Sequence, residues 1–301
     1  PIIKIAKKLA ISDKLRKKAP QLLSRYKNYQ LDPLPFISYD IYVVVAGHRA
    51  RIIYDMVFEN PTKNTLAGTL MVELPNGASP CYIGMFQGGG VTKQEDSQEI
   101  LLPDELPGLD VLTKKEISLP TKWDVKTGHV NWGKFRPAKV VNPVKGKKVY
   151  EKITRRRVDP ALSEWAGSNK FSTKIYPLNP ESYKRVVFAY ERPLESKNGN
   201  LYYALPLPRK TNAKIRVIVH ALDKGYKNIK LLAGKKELEP TQKQYQKMWL
   251  YPLGPHFKGS LVLYANTINA KLQYLTGTNP SVPGKLVHLR YAPDVPENKI
   301  L

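Results

Sequence analysis

Between residues 36 and 291 the chain is written mostly in short apolar runs and in alternating apolar and polar positions. Residues 40–45 and 49–58 alternate in part and are joined by Ala46-Gly47-His48. That pattern predicts a β-hairpin closed by a glycine turn. A strand over 65–74 is ended by Pro75-Asn76-Gly77, a strong turn signal, and another follows at 81–86. Strand character returns at 116–119, 130–141, 171–178, 184–191 and 201–207. A second set occupies 214–222, 229–232, 248–252, 260–265, 271–275 and 285–291. Short strands punctuated by Gly and Pro are the signature of an all-β domain.

Two stretches break this pattern. In residues 1–30, Ile2, Ile5, Leu9, Leu15, Leu22 and Tyr26 approximate a helical stripe, and nine Lys/Arg accompany one acid, Asp13. Pro20 divides the segment, because proline lacks the N–H that an inner turn needs. Such a basic amphipathic helix has two uses. It docks on a neighbouring domain by its stripe, the favoured reading, or it lies on an anionic membrane through Lys7, Lys8, Lys14, Arg16, Lys17 and Lys18. The second stretch is 145–171. Val149, Ile153 and Val158 recur at helical spacing beside Tyr150, with Lys147, Lys148, Lys152, Arg155, Arg156 and Arg157 on the other faces. Pro160 stops or kinks this helix and Gly167 releases the chain into the next strand. A lone helix among strands buries its stripe across a sheet or at a barrel end.

Composition sharpens the picture. The chain has 301 residues, enough for one large or two ordinary domains with real cores. Its 49 Lys+Arg against 25 Asp+Glu give a formal charge of +24. That surplus favours anionic partners such as nucleic acid, acidic polysaccharide or anionic lipid, or else it only keeps the protein soluble. The densest cation runs are 134–157, with ten Lys/Arg and one acid, and 209–247, with eleven against three. Cys81 is the single cysteine, which excludes an internal disulfide, and its apolar run predicts a small core residue. No stretch reaches the roughly 18 apolar residues of a spanning helix. Starting at Pro1 rather than Met, the sequence reads as a piece of a longer protein.

Candidate chemistry is thin. His48, His129, His220, His256 and His288 are scattered, without the paired spacing that zinc ligands show. There is no G-x-S-x-G elbow and no phosphate-binding glycine pattern around Gly88-Gly89-Gly90. Nothing nominates a base for Cys81. The acids Glu95, Asp96, Glu99, Asp104, Glu105 and Asp110 read as a solvated loop, or as a segment that meets a basic surface of this or a neighbouring copy. No active site, cofactor or metal is expected. The remaining signal is the cation clusters. Arginine forks match phosphate, sulfate and carboxylate, and they also serve internal ion pairs.

Several motifs in order resemble the vault protein inter-alpha-trypsin module, known from inter-alpha-trypsin inhibitor heavy chains, vault-associated poly-ADP-ribose polymerases and many bacterial proteins. They are R-I-I-Y-D-M-V-F-E-N-P from Arg51, L-M-V-E-L-P-N-G-A-S-P from Leu70, D-P-A-L and E-W-A-G-S-N-K-F after the helix, and K-R-V-V-F-A-Y-E-R-P-L from Lys184. W-G-K-F-R-P-A-K-V-V from Trp132 is similar to the bacterial versions. The resemblance spans 36–207. It implies architecture and protein interaction, supplies no catalytic residue, and suggests a structural role for at least one of Arg155 to Arg157. Bacterial relatives often continue into a von Willebrand factor A domain, whose D-x-S-x-S loop is not in this sequence.

The expectation is a mainly β protein. A basic N-terminal helical segment (1–30) precedes a sandwich of this module's type with one crossing helix (31–208). A second small β domain (209–292) and a tail (293–301) follow. The expected function is a non-enzymatic interaction or scaffold module of a larger cell-surface or envelope protein, with a protein partner or self-association. The alternative is an anion-binding module for acidic polysaccharide, nucleic acid or anionic membrane. The resemblance points to the cell surface, the periplasm or a membrane-associated setting.

Overall fold

The computed structural model describes residues 19–27, 30–92, 129–133, 135–137, 161–165, 169–197, 200–208, 214–221, 226–233, 236–240, 242–244, 248–253, 261–267, 272–279 and 282–291. These residues are mainly β, as the alternation requires. Residues 1–18 of the helical segment expected over 1–30, the helix expected over 145–160 and the strand expected at 116–119 lie outside them.

Strands β3 (Phe36–Ala46), β4 (Arg49–Asn60) and β12 (Ser182–Pro193) form the heart of the fold. β3 and β4 are the predicted hairpin, turning at Gly47 with φ of 53°. β12 pairs antiparallel with β4 from Asn60–Ser182 to Arg49–Pro193. β15 (Lys214–Ala221) then joins the other edge of β3 in parallel, Lys214 opposite Ser38 through Ala221 opposite Val45. With β6 (Ser79–Phe86), β9 (Phe135–Pro137), β18 (Gln242–Gln244) and β19 (Met248–Leu253) they make an eight-stranded sheet in the order β18-β19-β15-β3-β4-β12-β6-β9.

One face of this sheet is apolar at every second position: Tyr39, Ile41 and Val43 on β3, Ile52, Tyr54 and Met56 on β4, Val186 and Phe188 on β12, Val217 and Val219 on β15. Two five-stranded sheets supply the rest of that core. One runs β10 (Ala161–Trp165), β11 (Lys170–Leu178), β5 (Leu66–Glu73), β1 (Gln21–Lys27) and β2 (Gln30–Pro33), and inserts Leu22, Leu70, Val72 and Ile175. The other runs β13 (Glu195–Lys197), β14 (Asn200–Leu205), β20 (Leu261–Thr267), β16 (Tyr226–Ala233) and β17 (Lys236–Leu238), and inserts Leu201, Leu231 and Leu263. Side chains buried to this degree contribute about 1.5–3 kcal/mol each relative to exposure. Two small ribbons complete the described structure: β7 (Gly90–Thr92) with β8 (His129–Asn131), and β21 (Leu272–Asn279) with β22 (Val282–Tyr291).

Three expectations are corrected. Residues 21–27 form a strand, although Leu22 and Tyr26 fit a helical stripe. A spacing of four is even, so it keeps two residues on one side of a strand as well as of a helix. The buried partners of Leu22 are set by pairing with β5, Leu22 opposite Leu70. Residues 21–27 and Gln30 therefore belong to a sheet and do not stand apart. The division at 208 separates segments that share two sheets, since β15 pairs with β3 and β14 with β20. Parallel pairing between strands so distant in sequence leaves no local mark. Cys81 is exposed on β6 rather than in the core.

The shared sheets carry a testable consequence. A chain ending at Pro208 strips β3 of β15 and β14 of β20, leaving two long unpaired edges. We expect it to lose the cooperative thermal transition of the full chain, followed by circular dichroism. A sharp transition in the shortened chain would contradict this.

Candidate functional site

The other face of the eight-stranded sheet carries a set of charges embedded in apolar strands. Asp40 lies on β3 directly opposite Asp55 on β4, and Arg216 on β15 lies opposite Asp40. Arg185 sits on β12 diagonally from Asp55, in register with Val57. The order across the four strands is cation, carboxylate, carboxylate, cation. Each carboxylate is gripped on its outer side by a fork. Arg185 Nε donates to Asp55 Oδ1 at 2.8 Å and Nη2 donates to Asp55 Oδ2. Arg216 Nε donates to Asp40 Oδ1 at 2.7 Å and Nη2 donates to Asp40 Oδ2. Bidentate pairing of this kind is the strong form of the arginine–carboxylate contact.

Apolar and aromatic groups close around the charges: Tyr42, Val44, Ile53, Val57, Phe86, Trp132, Val187 and Ile218. The Arg185 guanidinium lies 4.5 Å from the Phe86 ring centroid and 5.7 Å from that of Trp132. Its Nη1 is buried without a hydrogen-bond partner, so the ring faces are what that side of the cation meets. Asp40, Asp55 and Arg185 are 0–1% exposed, while Arg216 keeps 22% of its side chain in solvent.

Burial is the largest influence on Asp40 and pushes its carboxyl up, and the Arg216 fork pulls it back only in part. The same contact raises Arg216 against the downward pull of burial. The carboxylate is the more deeply buried of the two, and the net direction at Asp40 is upward. Arg185 is pulled down by burial and raised overall by Asp55, with smaller help from Tyr42 and Asp40. A general acid or base must reach a substrate proton. Neither Asp40 nor Asp55 reaches solvent, so what this geometry does is cross-link four strands.

The core face carries a second polar chain. The Tyr54 and Tyr190 hydroxyls lie 3.2 Å apart, and Tyr190 is bonded to Tyr203. Burial holds all three phenols well above their usual value, so they stay neutral. Arg192 stacks 5.0 Å over the Tyr203 ring. Cys81 borders Arg51, but partial desolvation pushes its thiol up to about 11, ahead of the opposing pull of Arg51, which is the reverse of a reactive thiolate. Arg51 is itself engaged by Glu191, its Nε donating to Oε1 at 2.8 Å. Among the described residues, no three His, Cys, Asp or Glu converge as metal ligands.

The residues singled out from sequence, Arg155, Arg156, Arg157, Lys147, Lys148, Lys152, Lys7, Lys8, Lys14, Arg16, Lys17 and Lys18, all lie outside the described residues. The cluster of Asp40, Asp55, Arg185 and Arg216 was not anticipated. Its signal was available: each is a charge inside an apolar strand, as in I-I-Y-D-M-V-F around Asp55 and K-I-R-V-I-V around Arg216. Charges so placed are paired when buried.

No family model matches the chain, and no curated protein matches it. Solved structures that are similar include one described as a nutrient-binding protein from Legionella pneumophila, at 9% identity and TM-score 0.39, over 83% of this chain and 70% of that one. Others are a two-domain M1 zinc metallopeptidase mutant bound to L-tryptophan (11%, TM-score 0.30, 88% of this chain and 51% of that one) and an M1 zinc metallopeptidase from Deinococcus radiodurans (12%, TM-score 0.29, 88% and 50%). The chain spans about half the length of the peptidase chains. Likenesses this distant carry neither a site nor an activity across.

Two outcomes follow from the cluster. Arg185→Met leaves Asp55 buried and unpaired and is expected to lose about 3–5 kcal/mol of stability, whereas Arg185→Met with Asp55→Leu recovers most of it. Denaturant melts of the two variants check this, and equal losses would contradict it. For Arg216→Met the sign runs through Asp40. A carboxyl raised in the folded state binds more protons there than in the unfolded state. Stability therefore falls as pH rises from the ordinary carboxylate range through the raised value. Removing Arg216 raises Asp40 further, so the deficit against wild type should grow as pH rises beyond the wild-type protein's own raised value. A deficit independent of pH would show that Asp40 does not govern it.

Proposed function

We propose that the chain is a non-enzymatic interaction module, a rigid β frame that presents its surface to a protein partner. The observation that carries this reading is the state of the converging charges. The four that meet inside the frame are joined in two forked pairs, which brace strands and leave neither carboxylate of that cluster free for chemistry. The motif resemblance from Arg51 to Leu194 to vault protein inter-alpha-trypsin modules points the same way. In this reading the segment 145–160 is the helix that crosses the sandwich, and the parent protein works at a cell surface or envelope.

A second reading, binding of an acidic polymer, draws on where the charge sits. Over the described side chains 14 Lys/Arg accompany 10 Asp/Glu, so the frame is close to neutral. The sequence total of 49 against 25 leaves 35 against 15 in the remainder, which includes the cations at 1–18 and 145–157. Cations grouped in this way favour anionic partners.

One column experiment separates the readings. An acidic-polymer binder holds to heparin at low salt and elutes steeply as salt rises, by counterion release. A protein-interaction module flows through or is retained only weakly. Substrate panels for hydrolases and transferases should show no turnover. Turnover abolished by a single substitution would overturn the non-enzymatic reading.

A further inference from the structure

The outer strands of the described sheets differ in how their free edges are protected. β2 ends in Pro33 and β9 in Pro137, β18 carries Lys243, β13 Lys197 and β17 Lys236, and β10 carries Glu164. Proline, lysine and short length are how natural sheets discourage edge-to-edge pairing. The β21–β22 ribbon is protected on one side only. β22 has Pro283, Lys285 and Arg290. β21, Leu-Gln-Tyr-Leu-Thr-Gly-Thr-Asn, has no charge and no proline in eight residues, and it pairs with β22 alone among the described strands. The other outer strands without Lys, Arg, Asp or Glu, β7 and β8, have three residues each.

A two-stranded ribbon is marginally stable by itself in water, and one or more further strands make it stable. The register shows what kind of strand fits. Leu272, Tyr274, Thr276 and Thr278 share a face with Tyr291, Leu289, Val287 and Lys285, and Gln273, Leu275 and Gly277 share the other with Arg290, His288 and Leu286. Antiparallel pairing of β21 with a second β21, centred on Leu275, places Leu272 opposite Thr278, Gln273 opposite Gly277, Tyr274 opposite Thr276 and Leu275 opposite its own copy. This register keeps like faces together. It sets no charge against a charge and repeats an aromatic–β-branched pair twice about the two-fold axis.

We propose that β21 is a self-pairing edge, joining two copies of this chain through a four-stranded antiparallel sheet with its two-fold axis at Leu275. The inference deepens the interaction-module reading and rests on it in naming the partner as a second copy. Two chains of +24 repel each other, so this contact strengthens as salt screens the repulsion, opposite to a contact with an acidic polymer.

Analytical ultracentrifugation of the full chain between about 0.05 and 0.5 M NaCl tests it, a range over which the screening length shortens severalfold. The expected result is a reversible dimer whose dissociation constant falls with salt. Leu275→Lys sets two lysines face to face and Leu275→Glu two glutamates, and each alone should weaken the dimer by about tenfold or more. Mixing the two variants should restore a heterodimer, which also reports that both are folded. If the Leu275 variants lose the wild-type melting temperature, Thr276→Lys at an already polar position takes their place and should weaken the dimer likewise. A monomer at every salt concentration, or a dimer indifferent to these substitutions in folded chains, overturns self-pairing and leaves the interaction module standing. Turnover by the chain would sink the module reading whatever the dimer does.

Discussion

The structure depends on the buried contact between Arg185 and Asp55. An isolated ion in that position is held away from water at a penalty of several kcal/mol. The fork from Arg185, the ring faces of Phe86 and Trp132, and the neighbouring Arg216–Asp40 pair offset it together. Since Asp40 and Asp55 face each other across β3 and β4, neither pair is independent of the other. The β3–β4 hairpin and the sequence-distant strands β12 and β15 are thereby held in one register. A slip by one residue would turn a charged row toward the apolar core.

That constraint explains how the layers divide. The face of the eight-stranded sheet that meets the two smaller sheets carries the main apolar core, with the neutral Tyr54, Tyr190 and Tyr203 hydroxyls bonded to one another inside it. The opposite face holds the charges. Hydrophobic burial supplies the bulk of the favourable free energy and is indifferent to which strand neighbours which. The forked pairs are directional, and they supply the specificity that burial lacks. We hold this as a statement about this protein, since buried ion pairs elsewhere are often replaceable by apolar groups without loss of a unique fold.

Much of the strand layout was legible in the sequence. The hairpin around Gly47, the turn at Pro75-Asn76-Gly77 and the apolar runs at β11, β12 and β14 follow from alternation and turn chemistry. What alternation cannot carry is which strands pair across long intervals. The parallel joining of β15 to β3 was invisible for that reason, and with it the continuity of the sheet beyond residue 208. β1 was misread because the four-residue spacing of Leu22 and Tyr26 suits a helix and a strand alike. Cys81 was misread because an apolar run covers both faces of a strand and only one is buried. The candidate cluster could have been found by asking why Asp40, Asp55, Arg185 and Arg216 interrupt runs of Val, Ile and Tyr. Cation density does not mark them, since Asp40, Asp55 and Arg185 lie outside the dense cation runs and Arg216 is one cation of eleven in 209–247.

Strands β12, β4, β3 and β15 form one cooperative unit fastened by the two arginine–aspartate pairs. Native-state hydrogen exchange measures this strand by strand, because amides of one unit share one opening free energy. Amides of β15 and β3 should exchange at the same, global opening free energy as those of β4 and β12. Release of β15 at a markedly lower free energy, with β3 and β4 still protected, would contradict it.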